Sequence, residues 1–139
     1  MKIVIETSKY SFSKYHKNGS DFDREFLSPI PTIFNYGFIE GSLADDGMEK
    51  DVLVIGPRLV QGTVLEVSRT NGVVRFIDDS FEDDKEIIYI GGFFSVPVLC
   101  CYFHLYAAFK MMYYLLLKRK LTTCRFKGII LYHKQPKNK

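Results

Sequence analysis

The chain has 139 residues, 47% of them hydrophobic and 15% aromatic, with a formal net charge of +3. That length and apolar content suit one folded domain with a real core and exclude a disordered chain. The excess charge sits in Lys118-Arg119-Lys120 and at the C-terminus (Lys134, Lys137, Lys139), which reads as a solvated tail rather than a nucleic-acid surface. Cys100, Cys101 and Cys124 are odd in number and lack metal-ligand spacing, so reduced thiols and a cytoplasmic setting are expected. The start runs directly into a strand pattern, so no signal peptide is expected.

In chain order, Ile3-Val4-Ile5 begins a strand that Glu6 ends, and residues 9–12 continue extended. Residues 16–21 form a polar turn around Gly19, and residues 22–30 alternate in bulk with Arg24 among apolar neighbours. Pro29 and Pro31 force an extended path into Phe34-Asn35-Tyr36-Gly37-Phe38-Ile39. An acidic turn, Asp45-Asp46-Gly47-Met48-Glu49-Lys50-Asp51, leads into the β-branched strand Val52-Leu53-Val54-Ile55. The Asn71-Gly72 dipeptide lies between the β-rich runs 63–68 and 73–77 and predicts a hairpin there. A second acidic stretch, residues 78–85, opens into the strand 86–90.

From Gly91 the character changes. Residues 93–117 are strongly apolar, with Pro97 suited to a first helical turn and Lys118-Arg119-Lys120 as the stop. Lys110 lies inside this span, so a helix packed on a soluble domain is favoured over a membrane crossing. Residues 125–132, with Gly128 inside, form a last extended segment. The expected fold is α+β: one domain over 1–139, with a small antiparallel β-barrel over roughly 1–90 and an apolar helix over roughly 97–120.

The chemistry lies in the two acidic turns. Each places carboxylates at the lip of a strand, and hard divalent cations want oxygen ligands held by a rigid scaffold. One cation site built from both turns is expected, and no His or Cys cluster competes with it.

Three stretches then carry a likeness. These are Asp23-Arg24 followed by Asn35-Tyr36-Gly37-Phe38-Ile39; Asp46-Gly47 with Asp51-Val52-Leu53-Val54; and Asp78 with Glu82-Asp83 and Lys85. In this order and spacing the chain resembles the family I soluble inorganic pyrophosphatases over residues 22–90, with Val4-Ile5-Glu6 and Lys9-Tyr10 as a looser extension. The resemblance implies an OB-like barrel of about five strands and Mg²⁺-dependent hydrolysis of pyrophosphate. It implies Asp46, Asp51 and Asp83 as principal metal ligands, with Asp78 and Glu6 completing further sites. Arg24, Tyr36, Lys85 and Lys9 would hold phosphate oxygens, and Asp51, Arg24 and Lys85 would carry catalysis.

The sequence departs from the family pattern where its D-G-D-P run would place a water-activating aspartate: Met48 stands there. A thioether neither accepts a proton usefully nor ligates Mg²⁺. The late Tyr-Lys pair of the family has no evident equivalent, since Tyr114 is followed by Leu115. The primary expectation is an inorganic pyrophosphatase of impaired rate, and the alternative is an inactive relative that binds metal and phosphate compounds as a sensor or partner subunit. The exposed apolar character of the helix implies a homo-oligomer.

Overall fold

The computed structural model describes residues 1–43 and 47–132. Strands are β1 (Lys2–Thr7), β2 (Ser13–Asn18), β3 (Asp21–Leu27), β4 (Asn35–Ile39), β5 (Asp51–Ile55), β6 (Val64–Glu66), β7 (Gly72–Asp78), β8 (Phe81–Glu82), β9 (Lys85–Tyr89) and β10 (Arg125–Leu131), with one helix, α1 (Val96–Leu117). The main sheet runs β10-β7-β9-β5-β4-β1-β6, with β8 paired to β7, and β2-β3 form a separate hairpin.

The α+β class agrees with the sequence reading, as do the helix and the final strand. The sheet differs from it in two ways. It is mixed, because β5 and β9 run parallel with Asp51 opposite Lys85. Its hydrogen bonding follows an open path with more strands than the five expected. The Asn71-Gly72 hairpin is also corrected, since β6 pairs with β1 and not with β7. Asn71 instead ties three segments together: its amide donates to the Ile87 carbonyl, its side chain accepts from Tyr89 N–H, and its carbonyl accepts from Tyr132 N–H. Gly72 is needed because a Cβ there would press on the Ile130 carbonyl oxygen at 2.6 Å. The tight two-residue hairpin of this region is Asp79-Ser80, between β7 and β8.

Strand alternation divides the side chains into two apolar layers. Ile3, Ile5, Val52, Val54 and Ile88 pack together on one face. The other face carries Tyr36, Leu53, Val74, Phe76 and Ile87, and α1 covers it. The helix is set by the Ser95 cap, whose hydroxyl accepts from Val98 N–H at 3.4 Å, and by Pro97 in its first turn. It buries Leu99, Tyr102, Phe103, Tyr106, Ala107 and Lys110, the i, i+3, i+4 spacing of one helical face. No helix among the described residues is long and apolar enough to cross a membrane.

Phe103 is the pivot of the helix–sheet contact. It stacks on Phe34 (centroids 5.7 Å apart) and on Phe126 (5.9 Å), and meets Phe76 at 6.0 Å. Phe103→Ala should therefore cost about 3–5 kcal/mol, measured by denaturant unfolding. A loss under about 1 kcal/mol, the ordinary scale of a surface change, would mean that the helix is not anchored there.

Candidate functional site

The alternation that builds the core also builds the site. Along β7, Val74 and Phe76 enter the core and Asp78 follows on the same face; along β5, Ile55 and Leu53 do so and Asp51 follows. On β9, Ile87 is in the core and Lys85 stands two residues before it. Charged groups thus collect where the apolar layer under α1 ends. Asp51, Asp78 and Asp83 line a cleft of about 970 Å³ there with Glu6, Lys14, Tyr36, Met48 and Lys110, and Lys85 lies buried behind them against Asp51 and Asp83.

Lys85 is the centre of this arrangement. Its side chain is only 2% exposed, and its Nζ lies 2.8 Å from Asp83 Oδ2 and 3.5 Å from Asp51 Oδ2. Burial works against the ammonium, but the Asp83 and Asp51 carboxylates outweigh it and hold Lys85 above the usual lysine range. For Asp83, burial pushes the carboxyl up while the Lys85 ammonium and its hydrogen bond win, leaving it at about 2. Asp51 keeps less of that help, and burial raises its carboxyl above the ordinary value. Tyr36 stands beside them with its hydroxyl buried and no partner of good hydrogen-bond geometry. Burial and the nearby Asp51 and Asp83 charges push that phenol well up, so it remains a neutral donor.

The neighbours of Tyr36 have structural work. Asn35 is fully buried; its Oδ1 accepts from Lys9 N–H (3.0 Å) and Leu59 N–H (2.8 Å), and its Nδ2 donates to the Pro57 (2.8 Å) and Val54 (3.3 Å) carbonyls. Gly37 lies flat against β1, where a Cβ would collide with the Val4 carbonyl oxygen. The two flanking residues therefore fix the strand from which Tyr36 projects.

Of the residues singled out from sequence, Asp51, Asp83, Lys85 and Tyr36 come together, and Glu6 and Asp78 line the same cleft. Asp46 lies outside the described residues. Lys9 donates from Nζ to the Gly56 carbonyl at 2.8 Å and is not part of the cleft wall. Arg24 is exposed on β3 and also stands outside it. The cause is a bulge in the β2-β3 hairpin: Lys14 faces Phe26 while Tyr15 faces Arg24, so Glu25 is the extra residue. Lys14 and Glu25 line the cleft in its place.

Two cations escaped the sequence reading. Lys14 lies over the Tyr36 ring at 4.3 Å, and burial of its ammonium is outweighed by Glu25, Asp51, Asp83 and Asp78, so it is held above the usual lysine range. Its only signal in the sequence is a second Lys-Tyr pair, Lys14-Tyr15, five residues after Lys9-Tyr10. Lys110 sits among the rings of Phe26 (4.7 Å) and Tyr114 (5.1 Å), 3.5 Å from Asp78 Oδ2. Burial, and then the like charge of Lys14, lower it against the pull of Asp78. In sequence it looked like a flaw in an apolar run.

The donor set suits a hard divalent cation in kind, because the carboxylates of Asp51, Asp83, Asp78 and Glu6 all face one cleft. The partly compensated Asp51, which has only a hydrogen bond of poor geometry from the Tyr36 hydroxyl beside the Lys85 ammonium, is where added positive charge gains most. Among the described residues no three such groups are gathered closely enough to hold an ion on their own.

Fold and cleft together set acidic and basic side chains in one wall, at the edge of a mixed sheet covered by one helix. Residues 3–91 match the family model for inorganic pyrophosphatase, and the chain belongs to the inorganic pyrophosphatase family. It is 36% identical over 89 residues to an inorganic pyrophosphatase of Corynebacterium efficiens, covering 61% of this chain and 56% of that protein. It is 42% identical over 92 residues to one of Saccharolobus solfataricus, covering 63% and 53%. The chain thus spans about half the length of the curated relatives it matches. The crystal structure of an inorganic pyrophosphatase from Neisseria gonorrhoeae superposes with a TM-score of 0.76 at 24% identity, covering 94% of this chain and 82% of that one. That from Thermus thermophilus gives 0.78 at 22% identity, with the same coverages. At that identity the likeness is one of fold.

Glu6 supplies a pH signature. Burial lifts its carboxyl from the usual 4.5 to about 7, against the opposing hydrogen bond from Lys17 N–H (2.7 Å). A carboxyl raised on folding stabilises the fold below its unfolded value, and that contribution is lost as pH climbs through about 7. With chelator present, Glu6→Gln should melt with the parent near pH 4 and a few degrees above it at pH 8, roughly 2–5 °C. Parallel melting curves across that range would refute the buried, protonated carboxyl.

Proposed function

We propose that this chain hydrolyses inorganic pyrophosphate to two phosphates with Mg²⁺. The observation that carries the reading is the Asp51–Lys85–Asp83 cluster at the base of the cleft, in a chain of this family. Asp51, Asp83 and Asp46 would hold Mg²⁺, with Asp78 and Glu6 serving further ions. Bound there, Mg²⁺ would neutralise the substrate's charge and acidify the attacking water.

The chain's own groups bind and orient. Lys14 on β2 and Lys110 on α1 would present ammonium groups to phosphate oxygens from the cleft wall; Lys85 on β9, buried behind Asp51 and Asp83, would reach phosphate as bound Mg²⁺ takes over those carboxylates. Tyr36, kept neutral by burial and by the Asp51 and Asp83 charges, faces the Asp51 carboxylate and would donate to a phosphate oxygen once Mg²⁺ engages Asp51. Arg24 would reach phosphate only through a shift of the β2-β3 hairpin. The sheet is read as a variant of the OB-like barrel. The exposed Leu105, Met112 and Leu116 on the outer face of α1 support a homo-oligomer, and a cytoplasmic setting goes with the free thiols.

A second reading, an inactive binder of metal and phosphate compounds, is favoured by Met48, which lines the cleft where a proton acceptor is expected. Phosphate release from pyrophosphate separates the two. The first reading requires release with Mg²⁺ that stops with chelator and falls at least about 10²-fold in Asp51→Asn. It also requires Met48→Asp to raise kcat, by about 10²-fold if a missing base limits the rate. No release from the parent chain, together with Mg²⁺-dependent pyrophosphate binding in calorimetry, would establish the inactive binder instead.

A further inference from the structure

Among the described residues, four other than glycine adopt left-handed backbone conformations, and three of them meet at one junction. Asp79 (φ +56°) and Ser80 (φ +70°) form the two-residue turn between β7 and β8. Such turns favour Asn-Gly because both central residues need positive φ. Arg119 (φ +54°) ends α1, where Lys118 N–H and Lys120 N–H both donate to the Tyr114 carbonyl, at 3.1 and 2.9 Å. Backbone of this kind persists only where its surroundings over-determine it.

The surroundings here are a clamp. Asp79 Oδ2 accepts from Lys120 Nζ at 2.7 Å and Oδ1 accepts from the Thr122 hydroxyl at 2.7 Å. Ser80 N–H donates to the Thr123 carbonyl at 2.9 Å, and the Ser80 and Thr122 hydroxyls are 3.2 Å apart. The hydrogen bonds from Lys120 and Thr122 hold the Asp79 carboxyl below its usual range. The residue before this turn is Asp78, which lines the cleft. Its Oδ2 lies 3.5 Å from Lys110 Nζ, and its Oδ1 is 3.5 Å from the buried Cys124 thiol.

We infer that Asp79 is a positioning residue: gripped by Lys120 and Thr122, it latches the β7-β8 turn to the segment after α1 and so fixes Asp78 against Lys110 in the cleft. Asp79 itself is absent from the cleft wall, so it acts through its neighbour. The inference builds on the pyrophosphatase reading for its kinetic consequence but not for its structural one.

The test uses the full chain with Cys100→Ala and Cys101→Ser as background, leaving Cys124 as the single thiol. Asp79→Gly removes the carboxylate while suiting the positive φ, so the hairpin is kept. Lys120→Met with Thr122→Val opens the clamp from the other side and leaves the turn untouched. Both variants should label Cys124 with a thiol-disulfide reagent at least tenfold faster, with melting temperature within a few degrees of the background. Both should lower kcat for Mg²⁺-pyrophosphate at least tenfold with KM within threefold, and Asp79→Asn, which keeps the Thr122 bond, should recover part of it. Unchanged labelling in both variants overturns the latch. Faster labelling with unchanged kcat overturns the positioning role. A background protein that releases no phosphate defeats the pyrophosphatase reading alone, because the labelling rates still decide the latch.

Discussion

A lysine ammonium buried between two carboxylates is the interaction on which the cleft depends. Burying one charge without a partner is prohibitive, and burying a pair is seldom a net gain over apolar packing. Lys85 stands at the start of an apolar strand because Asp83 and Asp51 compensate it from two directions, one from just before β9 and one across the parallel β5-β9 pair. The compensation is uneven: Asp83 takes the short contact and stays ionised at about 2, while Asp51 is raised. That asymmetry leaves one carboxylate committed to the lysine and the other in need of further positive charge. The proposed binding of metal and pyrophosphate would draw on both conditions.

The same constraint explains the rings around the cations. Lys14, Lys85 and Lys110 each lie within 6 Å of at least two aromatic rings. Ring faces attract a cation without adding a formal charge at neutral pH, and they exclude water that would screen it. The aromatic layer under α1 thus serves the core at its centre and the cleft at its margin.

Much of this was legible in the sequence where local rules and family spacing agreed. Asp51, Asp83, Lys85 and Tyr36 were named from motifs and do converge, because strand alternation preserves facing once strand type is known. What failed was non-local. Asn71-Gly72 looked like a hairpin, but the partner of β6 is β1, chosen by packing far away in sequence. Lys14 was passed over because two Lys-Tyr pairs lie five residues apart and only tertiary placement chooses between them. Arg24 matched its motif, yet one bulge in β2-β3 turned it to solvent. Lys110 told against a membrane span, but its place in the site was hidden, since nothing in an apolar helix announces that one lysine will find an aspartate on a strand. Asp45 and Asp46 lie outside the described residues, and the metal-binding role proposed for Asp46 rests on family spacing.

The side chain of Asn35 joins residues 9, 54, 57 and 59, the cluster joins 51 to 83 and 85, and the clamp joins 79 to 120 and 122. Each of the three ties closes a loop of more than fifteen residues, and loop-closure entropy must be overcome before any of them stabilises the chain. Such a topology assembles late and folds slowly compared with a helical protein of equal length. It also means that the cleft has no minimal peptide. A segment containing every residue of its wall and the clamp that steadies it must run from Val4 to Thr123, nearly the whole described chain.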